Sequence, residues 1–133
     1  MCGFSGFIDA VPSLPSSEWP TMLGRMGKAI AHRGPDDSGV WIDANAGIGL
    51  SHRRLSVLDL SPAGHQPMVS ASGRYVIAFN GEIYNFRQLK AELVQQGCKF
   101  RSDCDTEVLL HLYAQCAIDG HRMLELLDPV LLV

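Results

Sequence analysis

The stretch from Arg74 to Phe79 constrains the fold more than any other part of this chain. It reads Arg-Tyr-Val-Ile-Ala-Phe, so apolar residues occupy both of its alternating faces. Successive side chains of a β-strand point to opposite sides of a sheet, and a strand that is apolar on both sides is typically buried on both. The sequence therefore predicts a strand over residues 74–80, in a sheet that other layers cover on both faces.

Two further strands and two loops are indicated. Residues 2–9 have the short apolar and glycine-rich pattern of a first strand, and residues 47–52 also have strand character. Residues 32–40 combine Gly-Pro, Asp-Asp and a further glycine, which is turn chemistry, so we expect a loop there. We also expect a loop between strands from Pro62 to Pro67.

Apolar residues at helical spacing predict a first helix near residues 18–31, with Ser17 as its N-cap and Pro20 in its first turn. A second helix should begin after Asn85, with Gln88 at capping-box spacing, and end before Gly97. Its expected apolar stripe is Leu89, Leu93 and Val94. A third helix near 106–117 should bury Val108, Leu109, Leu112, Tyr113 and Cys116.

Composition excludes several classes of protein. With 133 residues, 47% apolar content and a net charge of −3, the chain has the size and character of one small globular domain. It has no Lys/Arg run for nucleic acid, no membrane span and no signal peptide, so we expect no nucleic-acid or membrane partner and a cytoplasmic location.

The four cysteines are not spaced as metal ligands, and the cytosol disfavours disulfides. We therefore expect no metal site and interpret Cys98, Cys104 and Cys116 as small packing residues. Cys2 differs from them because removal of Met1 would leave a thiol and a free α-amine on one residue. Their unperturbed pKa values, ~8.5 and ~7.7–8.0, suit a nucleophile and its base at neutral pH.

This cysteine begins the first of five ordered motifs. They are Cys2-Gly3, then His-Arg-Gly-Pro-Asp-Asp-Ser-Gly at 32–39, Ser-His-Arg-Arg-Leu-Ser-Val-Leu-Asp at 51–59, Phe-Asn-Gly-Glu-Ile-Tyr-Asn at 79–85, and Ser-Asp-Cys-Asp-Thr-Glu at 102–107. From Cys2 to about Cys116 the chain resembles the class II, or N-terminal nucleophile, glutamine amidotransferases. The resemblance is closest to the N-terminal glutaminase domain of glutamine-hydrolysing asparagine synthetases.

This resemblance implies the catalytic groups. Cys2 would be the nucleophile and its α-amine the base, while the Asn80 amide and the Gly81 N–H would form the oxyanion hole. Asn-Gly is also the strongest short signal for a β-hairpin turn, and the two interpretations are compatible.

The resemblance also implies the groups that bind substrate. Arg54 directly precedes Leu-Ser, the position that holds the glutamine α-carboxylate, although charge alone does not separate it from Arg53. Val57 and Leu58 match a segment whose backbone carbonyls meet the substrate.

Asp105 matches the position that binds the α-ammonium, with Glu82 assisting. An Asp at a helix start is equally expected as an N-cap, and one side chain can serve both roles. In the His-Arg-Gly-Pro-Asp loop, Arg33 and Asp36 are interpreted as structural supports.

The implied fold is α+β, the α-β-β-α sandwich of N-terminal nucleophile hydrolases. The implied reaction converts L-glutamine to glutamate and ammonia through a thioester on Cys2, and an ATP-dependent amide-forming domain then uses the ammonia, as in asparagine biosynthesis. No cofactor is expected in this chain, because ATP and Mg²⁺ would belong to the synthetase domain, which is absent. The ammonia acceptor stays open.

The resemblance ends near the C-terminus, where residues 123–133 replace an expected run of further strands. We therefore expect residues 1–133 to be one truncated glutamine amidotransferase type-2 domain with an incomplete sandwich. Such a chain should associate with itself or need a synthetase partner. The alternative is a catalytically silent fragment that only binds glutamine or a partner. It is based on the missing C-terminal strands and on the presence of Met1 in the sequence.

Overall fold

A computed structural model describes residues 2–10 and 15–115. The described residues are mixed α/β with antiparallel sheets, and they divide into two compact units. The first unit comprises residues 2–10, 15–56, 65–67 and 78–80, and the second comprises 57–64, 68–77 and 81–115. The α+β class is thus confirmed, while the four-layer sandwich stays a prediction.

The first unit is built on a three-stranded antiparallel sheet. Its strands are β1 (Gly3–Ile8), β2 (Asp37–Asp43) and β3 (Ile48–Arg54), with β3 in the centre. The registers pair Gly3 with Arg53 and Asp37 with Arg54. The ends of β1 and β2 that carry the first two motifs therefore lie beside the end of β3 that carries the third.

Helix α1 (Trp19–Ala29) packs on one face of this sheet. Leu23 is fully buried, and Trp19 meets Phe7 of β1 edge to face with ring centroids 5.0 Å apart. A side chain at Gly27 would collide with Ser51 Oγ, and one at Gly49 would come within 2.9 Å of Leu23. Small residues on both sides thus let the helix approach β3 closely.

Two expectations for this unit are wrong. Ser17 does not cap α1, because a 3-10 turn at Ser16–Glu18 precedes the helix and Glu18 takes the N-cap position. The loop expected at 32–40 is too long, since β2 already begins at Asp37. Turn-forming residues can occupy an edge strand when pairing with a central strand fixes their backbone. The strands expected at 2–9 and 47–52 are confirmed.

The second unit holds a two-stranded antiparallel sheet and two helices. Strands β4 (Met68–Val69) and β5 (Val76–Ile77) pair with each other, and α2 (Phe86–Gln95) packs against α3 (Asp105–Gln115). Ile83, Leu93 and Val108 are fully buried in this unit. A smaller apolar cluster consists of Met68, Cys104 and Leu110 with Tyr75 and Ile77.

The strand predicted over 74–80 is wrong in length and burial. Pairing covers only Val76–Ile77, and residues 75–80 are half-buried rather than enclosed on both faces. Alternating apolar residues indicated the strand correctly, but its partner β4 has only two residues. The ladder therefore ends before Phe79, whose backbone groups bond to side chains instead.

The helix predictions hold in outline. Gly97 follows α2 with φ of +92°, the left-handed backbone that favours glycine after a helix. Asn85 precedes α2 but makes no capping bond with its side chain, and Gln88 bonds Glu92 instead, at 3.1 Å. Val94, expected in the apolar stripe of α2, is 52% exposed, and Tyr113, expected to be buried, is 44% exposed. The predictions for Cys116 and for residues 123–133 lie outside the described residues.

Candidate active site

The Cys2 thiol lies at the edge of the first unit's sheet, just before β1. Its Sγ accepts a hydrogen bond from the Leu55 N–H at 3.3 Å and lies 3.6 Å from the Leu55 carbonyl oxygen, to which the thiol donates. Leu55 directly follows β3, so the β1–β3 register sets where the thiol sits. The side chain is partly accessible to solvent, as a nucleophile requires.

Arg33 fixes the backbone of the same cysteine. Its Nε donates to the Cys2 carbonyl oxygen at 3.0 Å. The neighbouring Gly3 packs on the Arg33 stem, and a Cβ there would come within 3.0 Å of Arg33 Cδ. Arg33 therefore makes the contacts of a structural support, as the sequence indicated.

The Gly34–Asp36 loop holds the segment that follows β3. The Asp36 carboxylate accepts from the Ser56 N–H at 2.7 Å, and the Asp36 N–H donates to the Arg54 carbonyl at 3.1 Å. A side chain at Gly34 would collide with the backbone of Arg53, so only glycine permits this approach. Asp36 is thus a second support, and it acts on the chain beside the thiol.

The two candidate arginines have different surroundings. Arg53 donates from Nε to the Gly34 carbonyl oxygen at 3.0 Å, which is a structural contact. Arg54 is only 6% exposed. A buried guanidinium is costly unless anionic or polar groups meet it, so such a residue is typical of a site and untypical of a solvated surface. The difference in burial agrees with the choice of Arg54.

The residue before Asn80 is held on both sides by buried side chains. The Phe79 N–H donates to Gln66 Oε1 at 2.7 Å, and the Phe79 carbonyl lies 3.1 Å from His52 Nε2. His52 is fully buried and Gln66 is 5% exposed. Burial lowers the pKa of His52 below its ordinary value, against the smaller raising effects of the Phe79 bond and of Asp37. His52 is therefore neutral at neutral pH.

The hairpin interpretation of Asn80-Gly81 is wrong. After β5 the next element along the chain is α2, so the pair does not connect two strands. Over the described ranges, the glycines with positive φ are Gly47, Gly73 and Gly97. The φ angle of Gly81 is not positive. A two-residue hairpin of the Asn-Gly type needs positive φ at its glycine. Asn80 is half-buried, and Gly81 is exposed.

Asp105 is a buried acid of the second unit. It is 7% exposed, begins α3, and accepts from the Ile83 N–H through Oδ2 at 3.1 Å. Burial raises the pKa of Asp105 and the Glu82 charge adds to this, while bonds from Ile83 and Thr106 act in the opposite direction. A cation beside this carboxylate would relieve the cost of its ionisation.

Sequence reasoning missed the residue that orders the start of α3. Glu107 is 3% exposed and accepts from the Ser102 N–H and hydroxyl, at 2.8 and 2.6 Å, and from the Arg101 N–H at 3.0 Å. These bonds fix the turn that leads into Asp105. The Ser102 to Glu107 separation is five residues, so the capping-box pattern of three did not reveal it.

The remaining predicted residues lie on the surface. Val57 is 70% exposed and Leu58 is 39% exposed, and Glu82 is also exposed. Of the predicted set, Cys2, Arg54 and Asn80 belong to the first unit, and Val57, Leu58, Gly81, Glu82 and Asp105 belong to the second. Within the first unit, the three predicted residues are related through β3. Arg54 is the last residue of this strand, Leu55, which follows it, bonds Cys2, and His52 bonds Phe79, the residue before Asn80.

Neither a metal centre nor a membrane span is found among residues 2–10 and 15–115. No group of three or more His, Cys, Asp or Glu side chains in these ranges could hold a metal ion. None of the helices there has the length and apolar character needed to cross a bilayer.

Comparison with known families agrees with this arrangement. The family described as glutamine amidotransferase domain matches residues 1–129. The chain belongs to this family. The match includes every residue of the predicted site, from Cys2 to Asp105.

Two similar proteins are named for glutamine hydrolysis, and a third is named as an amidase. Asparagine synthetases [glutamine-hydrolyzing] 1 and 2 of Bacillus subtilis are 42% and 43% identical over 113 and 119 residues, covering 85% and 89% of this chain. Amidase chry2 of Gibberella zeae is 38% identical over 120 residues, or 85% of the chain. The matched part is 17%, 15% and 18% of these three relatives, so the chain spans under a fifth of their length.

Proposed function

We propose that this amidotransferase domain hydrolyses L-glutamine to glutamate and ammonia through a thioester on Cys2. The observation that carries the proposal is the setting of the thiol. The Cys2 sulfur makes hydrogen bonds with the Leu55 backbone, and the Cys2 carbonyl oxygen accepts one from Arg33. The residue lies just before β1 and is partly accessible to solvent. The relatives named as glutamine-hydrolysing asparagine synthetases supply the reaction type.

The proposed mechanism begins after removal of Met1. The free α-amine of Cys2 takes the thiol proton, and the thiolate attacks the side-chain amide carbon of glutamine. The Asn80 amide and the Gly81 N–H stabilise the oxyanion. The C–N bond then breaks, the α-ammonium returns its proton to the leaving nitrogen, and ammonia departs. Water attacks the thioester, which releases glutamate and restores the thiol.

Substrate recognition rests on two buried charges. Arg54 would bind the α-carboxylate with two parallel hydrogen bonds. Asp105, assisted by Glu82, would bind the α-ammonium, and backbone carbonyls at Val57 and Leu58 would complete the contacts. The raised pKa of Asp105 supports this role, because an ammonium ligand would stabilise the ionised carboxylate that burial disfavours.

The wider setting follows from the relatives. We infer that the domain adopts the α-β-β-α sandwich of N-terminal nucleophile hydrolases and works in the cytoplasm. Its ammonia would pass to an ATP- and Mg²⁺-dependent synthetase domain or subunit, as the relatives' names and greater length suggest. The glutaminase step itself would need no cofactor.

Ammonia release from L-glutamine by the purified chain tests this proposal. Cys2→Ser should abolish release, whereas Cys98→Ser, which changes a partly accessible thiol bonded to Gln115, should leave it unchanged. Binding of glutamine by the wild-type chain without ammonia release would instead support a silent binding module. Ammonia release that survives Cys2→Ser would show that another group is the nucleophile.

A further inference from the structure

The Phe79 peptide has hydrogen bonds on both sides that come from side chains rather than from a sheet. β5 ends at Ile77, so Phe79 lies beyond the ladder. Gln66 Oε1 accepts from its N–H at 2.7 Å, and His52 Nε2 meets its carbonyl oxygen at 3.1 Å. Because a carbonyl oxygen can only accept, the His52 proton resides on Nε2.

These two side chains have fixed positions of their own. His52 lies in the central strand, paired with Phe4 of β1 and Gly39 of β2. The Gln66 carbonyl packs against Gly39 so closely that a side chain there would collide with it. Both side chains are buried, which limits the competition of water for their bonds with the half-buried Phe79.

The same strand also supports the thiol. Leu55, which bonds Cys2 Sγ, is three residues beyond His52, or about 10 Å along the chain at strand rise. β3 therefore carries the His52 contact with the Phe79–Asn80 peptide and leads directly into Leu55, which bonds the cysteine. A donor that stabilises an oxyanion must be placed accurately relative to the nucleophile, which such an element provides.

We propose that His52 and Gln66 are positioning residues that fix the Asn80 amide by holding the Phe79 peptide from both sides. This inference rests on the proposed glutaminase reaction. Both residues are buried, so we place their effect on Asn80 and not on the substrate. A histidine that merely filled the core would stabilise the fold without affecting Asn80.

His52 carries a cost that a pure packing residue would avoid. Its Nδ1 is buried and has no hydrogen-bond partner among the described residues. An unsatisfied buried nitrogen is destabilising, and an aliphatic side chain would not incur this penalty. The Nε2 contact with Phe79 is the hydrogen bond that the imidazole makes in return.

A double-mutant cycle with Asn80 separates positioning from packing. His52→Leu and Gln66→Met each remove one bond to Phe79, and each should lower kcat by roughly 10- to 100-fold with little change in KM. His52→Gln, which keeps a donor nitrogen, should recover part of that loss. In an Asn80→Ala background neither substitution should lower kcat further, because the group that they position is gone.

Two controls accompany the cycle. His65→Leu changes the neighbouring, exposed histidine, which bonds Asp37 and not Phe79, and it should leave kcat unchanged. The alkylation rate of the Cys2 thiol should be the same in wild type and in both variants, which excludes an effect through Leu55. Equal losses of kcat with and without Asn80, or losses confined to the melting temperature, would overturn the proposal.

The positioning inference can fail separately from the reaction. If the wild-type chain releases no ammonia, the proposed function is wrong, and hydrogen exchange of the Phe79 amide then decides the inference. Gln66→Met should accelerate that exchange, and His52→Leu should shift the NMR signals of the Asn80 side-chain amide. Unchanged exchange and unchanged signals would contradict the proposed contacts and their effect.

Discussion

At the scale of single residues, burial separates candidates that charge and sequence position leave together. Arg53 and Arg54 are adjacent, yet Arg53 bonds the Gly34 carbonyl while Arg54 is 6% exposed. Glu82 and Asp105, the two carboxylates proposed to bind the substrate α-ammonium, also differ in burial. Glu82 is exposed, whereas Asp105 is buried and its pKa is raised. Each buried charge is a candidate for one end of an amino-acid substrate.

Arg54→Lys keeps the charge and loses the planar fork. We expect KM for glutamine to rise roughly 10- to 150-fold, which corresponds to the ~1.5–3 kcal/mol of a hydrogen bond to a charged group. Arg53→Lys should change KM little, because Arg53 bonds the backbone carbonyl of Gly34. Steady-state kinetics of the two variants measures this, and equal losses at both positions would refute the assignment to Arg54.

His52 should make stability depend on pH. Burial lowers its folded-state pKa below the ordinary value near 6.5, so the unfolded chain takes up a proton first as pH falls. Its contribution is therefore complete above about pH 6.5 and is lost below it, at up to ~1.4 kcal/mol per pH unit. Urea unfolding between pH 5 and pH 7.5 should show this slope, and His52→Gln should reduce it. An identical slope in both proteins would contradict the neutral, buried state of His52.

The sequence indicated candidate residues whose type and motif suggest their chemistry. The cysteine after Met1 and the arginine before Leu-Ser were selected because such groups occur in recognisable motifs, and their roles stay predictions. His52 and Gln66 were not assigned these contacts, since their partner, the Phe79 peptide, lies 27 and 13 residues away along the chain. Contacts between a side chain and a distant backbone group leave no periodic pattern in a sequence.

At the scale of helices and strands, pairing overrides local propensity. Asp37–Asp43 contains turn-forming residues, but it is a full strand because β3 pairs with all seven positions. Residues 74–79 show the opposite case. Their sequence has a strong strand pattern, but only two of them pair, because the partner strand β4 is short. Turn and strand signals therefore indicated the elements, but the length of each partner set the final bounds.

Helix α3 depends on Glu107 for an ordered start. Glu107→Gln should destabilise the fold by about 1–3 kcal/mol, because an amide offers one acceptor where the carboxylate accepts from Arg101 and Ser102 together. Glu92→Gln, an exposed position on α2, is the matched control and should cost little. Urea denaturation compares the two, and similar midpoints would show that the Glu107 bonds contribute nothing.

At the scale of the whole molecule, one sheet face of the first unit carries exposed apolar side chains. Phe4 and Ile8 alternate along β1 on the side opposite Phe7, the residue that meets α1, and they are 53% and 77% exposed. Exposed apolar groups on a strand at the sheet edge favour association. The expectation of covering layers concerns residues 74–80, so the exposed face of β1 is a separate reason to expect association.

The isolated chain should therefore associate in solution. Light scattering should show a mass above that of the 14.5 kDa monomer at micromolar concentration. Phe4→Ser combined with Ile8→Thr should shift the chain towards monomer, whereas Tyr84→Ser, an exposed aromatic residue in the other unit, should not. A wild-type monomer with one sharp unfolding transition would contradict this expectation.

The most direct test of the proposed chemistry compares two forms of the same chain, one beginning at Cys2 and one that retains Met1. Both keep the thiol, but only the first has the free α-amine on the nucleophilic residue. Ammonia release from L-glutamine, measured alongside intact mass to verify each N-terminus, should be detectable in the first form, although slow in this isolated chain, and nearly absent in the second. An undiminished rate in the form that retains Met1 would show that the α-amine is not the base.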